Sequence, residues 1–151
     1  MLALGPATTV KRSLALTDDI ERAPSIGPRT AKRMVPLGIK TVADFLAASA
    51  YLTADTLRSR TVKADTILLW QDQCRLMLDV PGLRGGHAEL LAGAGYRSAE
   101  SLALAEEAKL CADVLAFAAT PAGQRILREG APPDIEKIKA WVETAKSARA
   151  A

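Results

Sequence analysis

The chain has 151 residues, of which 49% are hydrophobic and 25% are charged, so it can bury a core and is not disordered throughout. Only 4% of the residues are aromatic, whereas alanine and leucine are abundant, and this composition favours an aliphatic, helical core in an all-α fold. The net charge of +3 is too small to identify a polyanionic partner, so the distribution of the basic residues matters more.

The basic residues are concentrated in one part of the chain. Between residues 22 and 63 there are eight lysines and arginines but only two acidic residues, Asp44 and Asp55. Residues 76–151 instead carry nine basic and ten acidic residues. A basic surface is therefore expected in the first half of the fold.

The N-terminal residues mix glycine, proline and threonine and show no sustained hydrophobic period, which predicts a flexible arm over residues 1–16. A solvated tail explains its Lys-Arg pair more simply than a contact with a nucleic-acid backbone does. Thr17 is then the expected N-cap of a short helix that carries Asp18 in its first turn, buries Ile20 and ends at Pro24.

A short basic helix follows the Pro-Ser-Ile-Gly-Pro turn at residues 24–28. Pro28 suits the first helical position, where a missing N–H costs nothing, and Gly27 allows a tight backbone approach just before it. Gly38 is expected to end this helix, and Thr41 begins the next one with a capping-box pattern. Apolar residues at spacings of three and four form the expected buried stripe: Ala31, Met34 and Val35.

The stretch SIGPRTAKRMVPLGIKTVADFLAA, residues 25–48, resembles the helix-hairpin-helix motif of non-sequence-specific DNA-binding proteins. In that family the hairpin amides and a nearby lysine or arginine grip the sugar-phosphate backbone. Ser25 stands where the family has its first hairpin glycine. The resemblance and the basic character of the stretch together imply these nucleic-acid-binding residues: Ile26, Gly27, Arg29, Thr30, Lys32, Arg33 and Lys40.

A linking helix is predicted over residues 53–79, with a helical stripe that includes Ile67, Cys74 and Met77. Its basic N-terminal part supplies secondary nucleic-acid contacts: Arg58, Arg60 and Lys63. Trp70 is expected in the core rather than as a platform for base stacking, because few other aromatic residues accompany it.

The first motif recurs in degenerate form, with Pro81 in the place of Pro24 at an offset of 57 residues. The apolar, glycine and capping positions match: Leu83, Ala88, Leu91, Gly95, Tyr96 and Ser98. The positions implied to bind DNA do not match: Arg84, Gly86, His87 and Glu89. A glutamate repels phosphate, so this copy is expected to be structural or to face a protein partner. His87 is expected to be a polar residue at a helix start rather than a phosphate or pH-sensitive contact.

The last third of the chain predicts a helix with Leu110, Val114, Leu115 and Phe117 available for burial, then a short helix. Asp134 is then expected to cap a final helix. The apolar face of that helix contains Ile135, Ile138, Trp141, Val142 and Ala145. We expect it to brace the hairpin units, with a dimer seam as the alternative.

The whole arrangement, over about residues 17–147, resembles an uncharacterised bacterial family of tandem helix-hairpin-helix domains. This resemblance implies a compact helical domain built on two such motifs with a C-terminal bracing helix. The predicted organisation in chain order is: arm 1–16, first unit 17–52, linking helix 53–79, second unit 80–104 and C-terminal helices 105–151.

The sequence offers no catalytic constellation. Cys74 and Cys111 are 37 residues apart and the chain has one histidine, so we expect two buried reduced thiols, no metal site and no cofactor. Phosphate-loop, dinucleotide-binding and nucleophile-elbow patterns are absent from the sequence. We therefore expect a non-enzymatic protein that binds the DNA backbone independently of sequence.

The alternative is a protein-interaction or scaffold module, which includes a homodimer. No small-molecule substrate is evident. No apolar run approaches the ~20 residues that span a bilayer, and no secretory leader pattern is visible. We therefore expect a cytoplasmic location and no membrane partner.

Overall fold

The computed structural model describes residues 12–128 and 130–150. Within them the chain is entirely helical apart from turns, loops and one isolated β-bridge between Asp19 and Thr41, which confirms the all-α prediction. The α-helices in chain order are α1 (Pro28–Met34), α2 (Val42–Ala47), α3 (Ala50–Leu57), α4 (Ala64–Asp79), α5 (Gly85–Gly93), α6 (Ala99–Ala103), α7 (Glu107–Ala118), α8 (Pro121–Leu127) and α9 (Ile135–Ala150). Two 3₁₀ turns, Ile20–Arg22 and Val35–Leu37, lie on either side of α1. No helix in the described ranges is long and apolar enough to cross a membrane.

Helix α4 is the centre of the fold, because it packs against α2, α3, α5 and α6. Its buried side chains include Ile67, Cys74, Leu76 and Met77. Gln71 is also buried, and its Nε2 donates to the carbonyls of Phe45 at 2.9 Å and Ala48 at 3.1 Å. The amide thus gives carbonyls at the C-terminal end of α2 a hydrogen bond, in addition to the one that the Ala48 N–H donates to the Phe45 carbonyl at 3.2 Å.

Residues 24–48, here called the first segment, and residues 81–105, the second segment, share their local backbone structure. The N–H of Gly38 donates to the Val35 carbonyl at 3.0 Å, and 57 residues later the N–H of Gly95 donates to the Ala92 carbonyl at 3.0 Å. Both glycines lie in the left-handed region, with φ of 82° and 105°. Each segment then continues into a short helix, α2 or α6, that begins with a capping box.

The N-terminal end differs from the sequence prediction in two ways. Asp19, not Thr17, is the N-cap, since its Oδ1 accepts from the Glu21 N–H at 2.8 Å, and a single 3₁₀ turn replaces the short helix. The preceding residues pair with the chain around Thr41 and so cannot begin a helix. Residues 12–16 are also not a free arm, because Leu14 is buried in the core. The rest of the predicted arm, residues 1–11, lies outside the described residues.

The predicted linking helix over residues 53–79 is two helices, α3 and α4, separated by residues 58–63. The Oγ of Ser59 accepts from the N–H groups of Thr61 at 3.2 Å and Val62 at 3.0 Å. A serine side chain that takes over backbone N–H groups competes with the helix, and the following threonine and valine are β-branched. The hydrophobic pattern alone did not reveal this break.

Val35 was also misplaced, because it is 44% exposed rather than part of the buried stripe. Pro36 has no N–H for a helical hydrogen bond, and the chain tightens into a 3₁₀ turn there.

Helix α9 packs on α6 and α7, so it braces the second segment. Its predicted cap is confirmed, because Asp134 Oδ1 accepts from the Lys137 N–H at 2.8 Å. Four residues of its predicted apolar face are buried: Ile138, Trp141, Val142 and Ala145. The fifth, Ile135, is half exposed at the first turn of the helix.

Candidate nucleic-acid interface

Helix α1 presents its basic residues to solvent because its apolar residues are fixed in the core. Ala31 and Met34 are buried, and Arg29 and Lys32 lie on the exposed surface between them. Gly27 is the N-cap and Pro28 occupies the first turn, as the sequence predicts. The buried stripe therefore determines which way the cations point.

Arg33 connects this helix to another basic part of the chain. Its Nη2 donates to the Leu57 carbonyl at 2.6 Å, at the C-terminal end of α3. The next residue is Arg58, which begins the loop of residues 58–63. The structure thus joins the residues implied by the helix-hairpin-helix resemblance to those predicted as secondary contacts.

The loop of residues 58–63 is held by its own hydrogen bonds. Besides the two bonds to Ser59 Oγ, the Nζ of Lys63 donates to the Ser59 carbonyl at 2.9 Å. Arg58 has a φ of 51°, a left-handed conformation that is uncommon for a residue with a side chain. Arg60 is exposed between these fixed points.

These two groups, which the Arg33 hydrogen bond connects, are here together called the basic face, with six residues: Arg29, Lys32, Arg33, Arg58, Arg60 and Lys63. In the described part of the chain none of the six has a carboxylate oxygen within 4.0 Å of its side-chain nitrogens, whereas other cations, such as Arg97 with Asp72 at 2.8 Å, form ion pairs. The carboxylates of the described residues therefore do not neutralise the basic face, and its positive charge is available to an anionic partner.

The remaining residues implied by the resemblance lie elsewhere. Ile26 is buried, so its side chain belongs to the core, and Thr30 is half buried. Lys40 is exposed beyond the opposite end of α1. Its N–H donates to Asp44 Oδ2 at 3.0 Å, and the backbone hydrogen bonds from Lys40 and then Thr41 lower the pKa of Asp44. No hydrogen bond or ion pair among the described residues joins the Lys40 side chain to the basic face.

Gly27 lies at the edge of a large groove. Its φ of −92° is open to any residue, and a Cβ at this position would meet no neighbouring group within 4 Å. Neither strain nor packing therefore requires glycine here, and its effect is to leave the surface open to close approach.

The groove itself has a volume of about 1130 Å³ and runs from the turn before α1, past α4 and α5, to α8. Trp70 and Phe117 supply aromatic surface along it, and Arg125 and Arg128 lie on the α8 side. Trp70 is half buried, so it packs on the core, as predicted, and also lines the groove. The loop of residues 58–63 reaches the groove through Thr61 and Val62, so the groove adjoins the basic face.

Ser25 is the polar centre of the groove. Its Oγ lies 2.7 Å from Gln73 Oε1 and 2.9 Å from Glu89 Oε2, as donor to either oxygen. Its φ of 69° is left-handed, like the φ of 83° at Gly82 in the second segment. Serine therefore keeps the backbone conformation of the hairpin glycine, and its hydroxyl links the first segment to α4 and α5.

His87 and the cysteines have structural surroundings. The ring of His87 lies 4.7 Å from that of Trp141, and burial, then Lys137 and Arg84, lower its pKa. Its Nδ1 is buried without a hydrogen-bond partner in the described residues. Burial raises the pKa of Cys74 to about 12, and both cysteines are buried free thiols, as predicted. The described residues contain no cluster of potential metal ligands.

The sequence prediction missed the groove residues. Arg125 and Arg128 are about 100 positions away from Arg29, beyond the reach of any local motif. Ser25 was identified only as a replacement for glycine, and Gln73 was part of an apparently ordinary helix. The available signal was the serine itself, since a polar residue with φ above zero commonly needs hydrogen bonds that hold it.

Comparison with known proteins gives one family match. A family model described as Domain of unknown function (DUF4332) matches residues 24–148, most of the chain, including the basic face and the groove. No curated protein and no solved structure matches the chain.

Proposed function

We propose that this chain, which belongs to the family described as Domain of unknown function (DUF4332), is a non-catalytic protein that binds DNA through its backbone phosphates without reading sequence. The bound strand contacts the basic face and passes close to Gly27. Such a partner agrees with the cytoplasmic location that the sequence favours. The proposal concerns binding alone, because the sequence carries none of the catalytic patterns considered above.

The observation that carries this proposal is the basic face. Arg29 and Lys32 on α1 and Arg58 to Lys63 after α3 come from separate stretches of sequence, and the Arg33 bond to the Leu57 carbonyl joins them. Clustered cations without carboxylate partners favour a polyanion, and phosphate contacts fix position without sequence information.

We further propose that the two segments are tandem helix-hairpin-helix units. The support is that the backbone structure repeats. The Ile39 N–H donates to the Met34 carbonyl at 3.3 Å, and the Tyr96 N–H donates to the Leu91 carbonyl at 2.9 Å. A residue with left-handed φ also occupies the same turn position in both segments. In this proposal the first unit binds DNA, and the second, with Glu89 at the position of Lys32, supports it.

The test is the double variant Arg29→Glu/Lys32→Glu. Both side chains are exposed and no described hydrogen bond uses them, so the fold should persist while affinity falls. We expect at least ~10-fold weaker binding of a random 20-base-pair duplex at low salt, and a slope of log affinity against log salt reduced by about 2. Fluorescence anisotropy over a salt series measures both quantities.

The matched control is Lys139→Glu/Lys146→Glu on the exposed side of α9. Each double variant changes the formal net charge by −4, from +3 to −1. Equal losses in the two variants would mean that only net charge matters, and the basic face would then not be the site. A wild-type protein that binds no DNA at low salt would refute the proposal altogether.

The second candidate is a protein-interaction module. It is favoured by two adjacent apolar side chains on α3, Tyr51 and Leu52, which are 68% and 70% exposed. Exposed apolar neighbours of this kind are typical of contact surfaces between proteins. The absence of DNA binding, combined with self-association that the double variant Tyr51→Ser/Leu52→Ser abolishes in light scattering, would favour this candidate.

A further inference from the structure

We propose that the groove beside the basic face holds single-stranded DNA, with the bases turned toward its floor and the phosphates along its rims. This inference rests on the proposed function and specifies its ligand. The groove and the basic face form one continuous surface, because Gly27, Thr61 and Val62 line the groove where the basic face ends.

Cations from two separate parts of the chain line or flank the groove. The loop with Arg60 and Lys63 adjoins the lining residue Thr61, and Arg125 of α8 and Arg128 directly after α8 line the groove themselves. Within the described residues neither Arg125 nor Arg128 forms an ion pair with a carboxylate. A groove with cations from separate elements along it can follow a phosphate backbone along its length.

The groove also provides surfaces suited to unpaired bases. Trp70 lines it as a half-buried aromatic ring, and Phe117 lies over Gly93, where any Cβ would collide with its ring. Every base has a flat face that stacks on an aromatic side chain, but these faces are free only when the strand is single. The aromatic residues therefore favour a single strand over a duplex.

The polar lining determines which side of the strand faces inward. The carboxylate of Glu89 repels phosphate, so the backbone lies away from it. Glutamate and glutamine oxygens accept hydrogen bonds from the N–H groups of unpaired bases, including the imide N–H of thymine, and Glu89 and Gln73 lie together here through Ser25. The volume of about 1130 Å³ exceeds the ~300–1,000 Å³ of ordinary small-molecule pockets, which leaves room for more than one nucleotide.

The first arm of the test uses Trp70 as the probe. The chain has two tryptophans, so the Trp141→Phe variant keeps an aromatic ring against His87 and leaves Trp70 as the only tryptophan. We expect a 20-nucleotide oligo(dT) to quench its fluorescence in a saturable way, and the random 20-base-pair duplex to quench it far less. Equal quenching by both, or none by oligo(dT), would overturn the inference.

The second arm uses the double variant Arg125→Gln/Arg128→Gly. Arg128 has a φ of 50°, a conformation that glycine adopts without strain, so this change should not unfold α8. We expect oligo(dT) affinity to fall about 10-fold and its salt slope to fall by about 1.4, while duplex affinity changes less than about 2-fold.

The two proposals fail in different ways. If duplex binding depends on Arg29 and Lys32 but the groove variant affects single and double strands alike, the groove inference is wrong and the proposed function stands. If the wild-type protein binds neither DNA at low salt, both are wrong. Circular dichroism of each variant confirms that binding is measured on folded protein.

Discussion

The first and second segments share backbone hydrogen bonds and buried positions, but their exposed residues carry different charges. In each segment the N-cap carbonyl accepts a hydrogen bond at 3.0 Å from the N–H four residues later. The Ala31 N–H donates to the Gly27 carbonyl, and the Ala88 N–H donates to the Arg84 carbonyl. Met34 and Leu91 occupy the same position and are both fully buried. Residues that the fold requires are therefore present twice.

The cations of α1 have no basic counterpart in the second segment, whereas Lys40 beyond α1 corresponds to another cation, Arg97. Arg29 and Lys32 in the first segment correspond to Gly86 and Glu89 in the second, at the offset of 57 residues. The Glu89 carboxylate accepts a hydrogen bond from the Ser25 hydroxyl and lines the groove, so Glu89 belongs to the interface between the segments. A shared backbone with unshared charge indicates that the charge is not needed for folding and that a function of the first segment explains it better.

The largest expected effect tests whether the buried positions Met34 and Leu91 are equivalent in the two segments. We expect Met34→Ala and Leu91→Ala each to lower the free energy of unfolding by ~2–5 kcal/mol, because each leaves a cavity in a packed core. Urea denaturation followed by circular dichroism measures the change. Val35→Ala, at an exposed neighbour of Met34, serves as the control and should cost less than ~1 kcal/mol. A cost below that level at either buried position would mean that only one segment holds the fold.

A smaller effect concerns the left-handed turn residues, Ser25 and Gly82. We expect Gly82→Ala to cost roughly 1–2 kcal/mol, because a side chain is strained at its φ of 83°. Ser25→Ala keeps the strain and loses the hydroxyl that lies 2.7 Å from Gln73, so it should cost about 1 kcal/mol. Ser25→Gly loses the same bond but relieves the strain, so the two effects should nearly cancel.

The same urea experiment orders these variants. If Ser25→Gly is less stable than Ser25→Ala, the turn conformation is not what the two segments share, and the comparison fails at this position. If Gly82→Ala is neutral, the left-handed position in the second segment is not required.

Much of the helical framework follows from the sequence because it depends on local chemistry. Pro28 and Gly38 delimit α1 and the turn after it, and Asp134 caps α9, since proline, glycine and aspartate act on their own backbone neighbourhood. The break between α3 and α4 was missed for a related reason. The hydroxyl of Ser59 competes with the helix there, but the apolar spacing continues as if the helix were unbroken.

The candidate interface could be predicted only in part. Arg29 and Lys32 are exposed, as their positions on α1 imply, whereas the Ile26 side chain is buried and is among the residues that line the groove. The bond from Arg33 to α3, and the position of Arg125 and Arg128 in the lining of the groove, depend on tertiary packing between distant parts of the chain. No local pattern encodes those neighbours.

The smallest effect concerns His87, which corresponds to Thr30 in the first segment. Burial, then Lys137 and Arg84, lower the pKa of His87 in the folded protein below the ~6.5 of an unfolded chain. The unfolded state then binds the proton more tightly, so the stabilising effect is complete above that value and is lost as the pH falls below it. Asp44 and Asp113 also have lowered pKa values, but carboxylates lose their stabilising effect only near pH 4 and below.

We therefore expect the free energy of unfolding to fall modestly between pH 7 and pH 5, and His87→Thr, which introduces the residue of the first segment, to flatten that change. Urea denaturation at several pH values measures it, with Lys137→Met as a second variant that should weaken the dependence without removing it, because burial remains. An unchanged slope in His87→Thr would show that the titration of this histidine, beside Trp141 of α9, does not cause the change.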